Sequence, residues 1–110
     1  AEQMVLLACN IDDQPAEQLA YVCDALMQKG ARDVWQTPIY MKKGRAAITL
    51  SVLCDEPKEA ALVDFIMRET STFGMRRQLV ERYVAERAQC TVTTPFGDIR
   101  VKRKYWQGSV

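Results

Sequence analysis

Four short stretches of this chain put charged and hydrogen-bonding side chains where they can act on a ligand. The first is Asn10-Ile11-Asp12-Asp13, where an apolar run gives way to polar residues. Two adjacent carboxylates at a strand end can hold a hard cation such as Mg²⁺ through one or two oxygens plus water, and Asn10 can add a hydrogen bond to a ligand. The same residues also suit a helix N-cap with carboxylates favoured by the helix dipole. The second stretch is Tyr40-Met41-Lys42-Lys43-Gly44-Arg45. A glycine turn with three cations suits a polyphosphate, lysine as a point charge and arginine through paired hydrogen bonds. A solvated hairpin tip would look the same, and the spacing and following helix of a P-loop are missing.

The third stretch, Arg68-Glu69-Thr70-Ser71-Thr72-Phe73-Gly74-Met75-Arg76-Arg77, offers hydroxyls and backbone N–H groups ahead of two arginines. That can bind an anion, or it can be a helix C-terminus with favourable cations nearby. The fourth is the basic strand from Arg100 to Trp106, with Lys102, Arg103 and Lys104 inside it. Basic residues beside aromatics can contact nucleic acid. They can also blunt an edge strand against aggregation. The aromatics are not clustered as in an RNA-binding sheet, so RNA is the minority reading.

Composition narrows the chemistry further. The 110 residues contain no histidine, which removes the commonest general base and transition-metal ligand. A Ser-His-Asp or Cys-His mechanism within the chain is excluded. Cys9, Cys23, Cys54 and Cys90 form no C-x-x-C pair, and each sits in an apolar pattern. They are expected to be buried free thiols of a cytoplasmic protein. The net charge of +1 conceals the local basic clusters. No apolar run approaches the roughly 20 residues of a membrane span. Met4 to Ala8 is too short for a signal-peptide core.

These stretches have to be positioned by a single small α+β domain spanning 1–110. Met4 to Ile11 reads as a buried strand. Asp12-Asp13-Gln14-Pro15 opens a helix whose apolar face is Leu19, Val22, Cys23, Leu26 and Met27, with Gly30 as its stop. Val34 to Tyr40 is a second strand, in which Pro38 suggests an edge or a bulge. Ala46 to Cys54 is a third, with Ile48, Leu50, Val52 and Cys54 on one face. A second helix follows Asp55-Glu56-Pro57 and runs to about Thr70. Met75 to about Ala88 reads as one long strand. Cys90 to Thr94 and Ile99 to Tyr105 flank a Pro95-Phe96-Gly97-Asp98 turn. The order β-α-β-β-α-β is the ferredoxin-like split βαβ arrangement, an antiparallel sheet with both helices on one face, extended by a C-terminal hairpin.

Taken in order, Asn-Ile-Asp-Asp at 10–13, Thr-Pro-Ile-Tyr-Met-Lys-Lys at 37–43 with Arg45, and Arg-Glu-Thr-Ser-Thr-Phe-Gly-Met-Arg-Arg at 68–77 resemble one family. So do Glu81-Arg82 and the Thr-Pro-Phe-Gly turn at 94–97. The family is the nickel-insertion protein of lactate racemase maturation, and the likeness is to its C-terminal domain. The resemblance implies a lyase-type metal insertion by the full-length protein. Nickel, the substrate, enters pyridinium-3,5-bisthiocarboxylic acid mononucleotide and gains one bond to carbon and two to sulfur. CTP hydrolysis and Mg²⁺ or Mn²⁺ would be required.

By the same resemblance the domain is similar to a ferredoxin-like oligomerising domain that holds CTP. Asp12 and Asp13 would hold the cation or the nucleotide. Lys42, Lys43, Arg45, Arg76 and Arg77 would take phosphates, and Asn10, Thr70 and Thr72 would hydrogen-bond the nucleotide. The implied partners are a nucleoside triphosphate, further copies of the chain and an N-terminal domain of the same protein; no membrane is expected, and nucleic acid stays the minority reading. The chain opens on Ala1, lacks the family's large N-terminal region and stops before its acidic tail, as a C-terminal fragment would. A non-catalytic ligand-sensing or oligomerisation module is the alternative.

Overall fold

The computed structural model describes residues 1–107. Its strands are β1 (Glu2–Ile11), β2 (Asp33–Tyr40), β3 (Ala46–Cys54), β4 (Arg76–Arg82), β5 (Glu86–Thr94) and β6 (Gly97–Tyr105). The helices are α1 (Ala16–Gln28) and α2 (Glu59–Glu69). The chain divides into two compact units, one spanning Gln3–Glu81 and the other joining Ala1–Glu2 to the segment from Arg82 on.

Alternation explains the first unit. Val5, Leu7, Cys9 and Ile11 of β1 and Leu50, Val52 and Cys54 of β3 all point to one face and are buried. Leu19, Val22 and Leu26 of α1 and Leu62 and Ile66 of α2 close over that face. These helix residues recur at three- and four-residue spacing, so each helix offers one apolar stripe. Cys23 is half-buried against the cluster, whereas Met27 stays exposed at the stripe's margin.

The sheet order is β2-β3-β1-β4, with β3 antiparallel to both β1 and β2. This is the ferredoxin-like topology the element order implied. Pro38 does sit on an edge strand, where its missing N–H costs no ladder bond. Gly30 ends α1 at φ 105°, and the N–H groups of Gly30 and Ala31 reach back to Met27 and Leu26 carbonyls.

The expected long strand over 75–88 is instead two strands. β4 stops at Arg82, Tyr83 to Ala85 leave the ladder, and Glu86 to Ala88 start β5. Alternation of side chains continues through the break, and a period of two cannot say where one strand changes partner. In the second unit β5 and β6 form a two-stranded antiparallel sheet, from Glu86 opposite Tyr105 to Thr94 opposite Gly97. The turn at Thr94 is tied by its hydroxyl donating to the Gly97 carbonyl at 2.6 Å.

Candidate functional site

The sheet face away from the helices carries the polar residues. Register sets Asn10 beside Thr49, and Thr49 beside Thr37, as one row across three strands. Asn10 Oδ1 accepts from Thr49 Oγ1 at 2.9 Å and from Arg76 Nη2 at 3.3 Å, which extends the row to β4. With its oxygen engaged twice, Asn10 presents its amide nitrogen, a two-proton donor. Asn10 and Thr37 are exposed, so the row is open to a ligand.

The adjacent rim is the hairpin tip between β2 and β3. Lys43 and Gly44 both adopt positive φ, at 62° and 68°. For Lys43 that is an uncommon backbone state. The tip is closed by Met41 N donating to the Arg45 carbonyl at 2.8 Å. Arg45 Nη1 lies 3.5 Å from Asp12 Oδ2. Asp12, Met41, Lys42, Lys43 and Arg45 line a shallow cavity of about 340 Å³, with three cations around one carboxylate. Excess positive charge clustered at this exposed rim favours a polyanion.

The two aspartates diverge. Asp12 turns to Arg45, whereas Asp13 accepts from the Ser71 hydroxyl. Gln14 ties the same loop down: its Oε1 accepts from Ser71 N at 2.9 Å. Among the described residues no three His, Cys, Asp or Glu side chains converge on a point. The donor set therefore fits Mg²⁺ or Mn²⁺ only in the way such ions are commonly held, by one carboxylate with phosphate oxygens and water. Asp12 is the residue that would hold it, since its carboxylate borders the cationic cavity.

The two arginines also part, leaving β4 on opposite faces. Arg76 joins Asn10 on the open face. Arg77 meets α2, where its Nη2 donates to Glu59 Oε1 at 2.9 Å and its Nε donates to Oε2. Those hydrogen bonds hold the Glu59 carboxyl below the usual carboxylate range and push the Arg77 guanidinium up. A carboxylate with a depressed folded-state pKa stabilises the fold above its unfolded value, and that contribution fades as pH falls through the folded value. Glu59→Gln is thus expected to be less stable than the parent at neutral pH. The gap should close well below the unfolded glutamate pKa of about 4.3. Urea unfolding at both pH values checks this, and a gap independent of pH contradicts it.

Thr70 and Thr72 serve their own loop. Thr70 Oγ1 donates to the Ile66 carbonyl and Thr72 Oγ1 to the Gly74 carbonyl, both at 2.7 Å. Their hydroxyl protons are committed there, so either can offer a ligand only an acceptor unless the loop opens. Burial pushes the Cys9 thiol up, against the opposing pull of a Thr72 hydrogen bond and the Arg76 charge. Burial does the same at Cys54, helped by Glu59 and Asp55. Raised thiols in the core are poor nucleophiles and poor metal ligands. Two residues of the assembly, Thr49 and Gln14, were not singled out from sequence as ligand-side residues, whereas Thr37 and Ser71 fall inside the 37–43 and 68–77 stretches. Strand alternation marks Thr49 as an open-face residue, while nothing local marks Gln14.

An antiparallel sheet with helices on one face and a cationic rim beside its open face defines a ferredoxin-like domain. The chain belongs to the nickel insertion protein family, whose model matches residues 1–110. A relative from Roseiflexus castenholzii is 52% identical over 107 residues, 97% of this chain and 27% of its own length. The pyridinium-3,5-bisthiocarboxylic acid mononucleotide nickel insertion protein of Acetivibrio thermocellus is 48% identical over 101 residues, 92% of this chain and 25% of that protein.

Among solved structures, LarC2 matches with TM-score 0.92 and 40% identity, over 96% of this chain and 74% of that one. LarC2 is the C-terminal domain of a cyclometallase involved in the synthesis of the NPN cofactor of lactate racemase. A Methanopyrus kandleri protein at TM-score 0.69 and 21% identity, over 94% of this chain and 66% of that one, shares the fold. The chain spans about a quarter of the length of the curated relatives it matches.

Proposed function

We propose that this chain is the nucleotide- and cation-binding domain of a CTP-dependent nickel insertase, which builds the nickel-pincer cofactor of lactate racemase from a pyridinium mononucleotide. The full reaction belongs to the whole protein. The domain's share is to hold the triphosphate, with Lys42, Lys43 and Arg45 around it and Asp12 directed at its divalent cation. Arg76 and the Asn10 amide supply donors from the open sheet face. The observation that carries this reading is the cavity at the hairpin tip, where three cations surround one carboxylate.

Charge that develops on a departing phosphate is stabilised by preorganised cations. A bound divalent ion supplies further charge neutralisation of the phosphates. Lys42 and Lys43 sit on a tip fixed by the Met41–Arg45 backbone bond, so less ordering is needed when the ligand arrives. Calorimetric titration of the chain with CTP and ATP, each with and without Mn²⁺, tests the reading. Cation-dependent binding that favours CTP is expected. No triphosphate binding would instead favour the ligand-sensing or oligomerisation module.

The chain is also expected to assemble with itself. A two-stranded hairpin is at best marginally stable alone, yet β5 and β6 leave Val92 and Ile99 exposed on one side. Among the described residues, β2 and β4 end the larger sheet with unpaired edges. Light scattering should give a mass above one chain, and a monomer at working concentration would contradict this. Among the described residues no helix is long and apolar enough to cross a membrane.

A further inference from the structure

We propose that the basic cavity of the C-terminal hairpin unit is a second anion site, shaped for a pyridinium mononucleotide that carries acidic ring substituents. The identity of that ligand rests on the proposed function. The cavity has a volume of about 410 Å³, within the range of small-molecule sites. Arg82, Arg87, Lys102, Arg103 and Lys104 line it together with Tyr83, and no carboxylate among the described residues does. It shares no residue with the triphosphate cavity at the hairpin tip.

Two observations in this unit call for an anion. Register sets Arg87 directly opposite Lys104, and like charges facing each other across strands destabilise a sheet. A bound anion reverses the sign of that interaction. Among the described residues, Arg87, Lys102, Arg103 and Lys104 have no ion-pair partner, while Arg82 lies 3.4 Å from Glu2. Among the described residues the only carboxylate paired with a lining cation is therefore Glu2, at Arg82, which leaves the other four cations without one.

Tyr83 gives the ligand its ring. It is 82% exposed, and Trp106 meets it edge-on with centroids 6.3 Å apart and planes at 85°. That contact fixes the phenol ring while leaving a face to stack. A cationic heteroaromatic ring such as pyridinium suits an aromatic face, and its phosphate and acidic substituents suit the surrounding cations. A single aromatic and a cavity of this size fit one nucleotide better than a strand, whose binding uses successive stacking platforms.

The test titrates the intact chain with nicotinic acid mononucleotide as probe, against inorganic phosphate and a single-stranded RNA. The proposal expects one mononucleotide per chain, bound more tightly than phosphate. Combined Lys102→Gln and Lys104→Gln should weaken it about tenfold, and Tyr83→Ala should weaken it without affecting phosphate. Both variants alter exposed side chains, so unchanged circular dichroism is expected. CTP with Mn²⁺ should bind the lysine variant as it binds the parent.

Equal affinity for phosphate and mononucleotide, or indifference to the variants, would overturn the proposal. So would displacement of the mononucleotide by CTP, or tight RNA binding that collapses with salt. Mononucleotide binding without CTP binding would remove the triphosphate reading and leave this site standing. CTP binding without mononucleotide binding would do the reverse.

Discussion

Arg76→Ala is expected to lower triphosphate affinity by about 10- to 100-fold without unfolding the domain, the equivalent of the roughly 1.5–3 kcal/mol of a hydrogen bond to a charged group. The guanidinium stands on the open face, and its contact there is to Asn10 Oδ1 at 3.3 Å. Asn10 keeps its Thr49 donor at 2.9 Å when Arg76 is lost, so the sheet retains its local hydrogen bonding. Lys42→Ala should cost less, about fivefold, because an exposed lysine acts as a screened point charge. The distinguishing control is Arg77→Ala. Arg77 is engaged by Glu59 on the helix face, so its loss should lower stability and spare affinity. Calorimetry of the three variants beside their urea curves separates these outcomes. Unchanged affinity in both Arg76→Ala and Lys42→Ala would remove the phosphate assignment.

Leu62→Ala is expected to destabilise the domain by about 2–5 kcal/mol. Leu62 is 0% exposed and packs in the cluster between α2 and the sheet. Truncation leaves a cavity where close-packed neighbours cannot fully relax. A domain of this size has a total stability of about 5–15 kcal/mol, so the loss is a large share of it. Phe96 offers the contrast. It is equally apolar but 98% exposed on the turn between β5 and β6. Phe96→Ala should change stability by less than about 0.5 kcal/mol. Urea denaturation measures both, and a small loss for Leu62→Ala would contradict the described core.

Much of the fold was readable because its signals are local. Leu50, Val52 and Cys54 alternate with Ser51 and Leu53, and β3 has the limits that this pattern gives, Ala46–Cys54. Gly30 and Pro38 carry their conformational meaning in their own backbones. The break after Arg82 was hidden because Tyr83 to Ala85 carry no glycine or proline to mark it. The site was half readable for a related reason. Its residue types were visible, but their partners are distant in sequence. Asp13 meets Ser71 58 positions away, and Arg77 meets Glu59 18 positions away. Adjacent letters therefore suggested an aspartate pair and an arginine pair, and the pleat and the loop direct the members of each pair apart.

The most direct test of where the triphosphate sits is amide NMR of the chain with CTP and a trace of Mn²⁺, whose unpaired electrons broaden nearby signals. Broadening is expected at Asp12, Lys42 to Arg45 and Asn10. Broadening confined to β5 and β6, or none at saturating CTP, would contradict it.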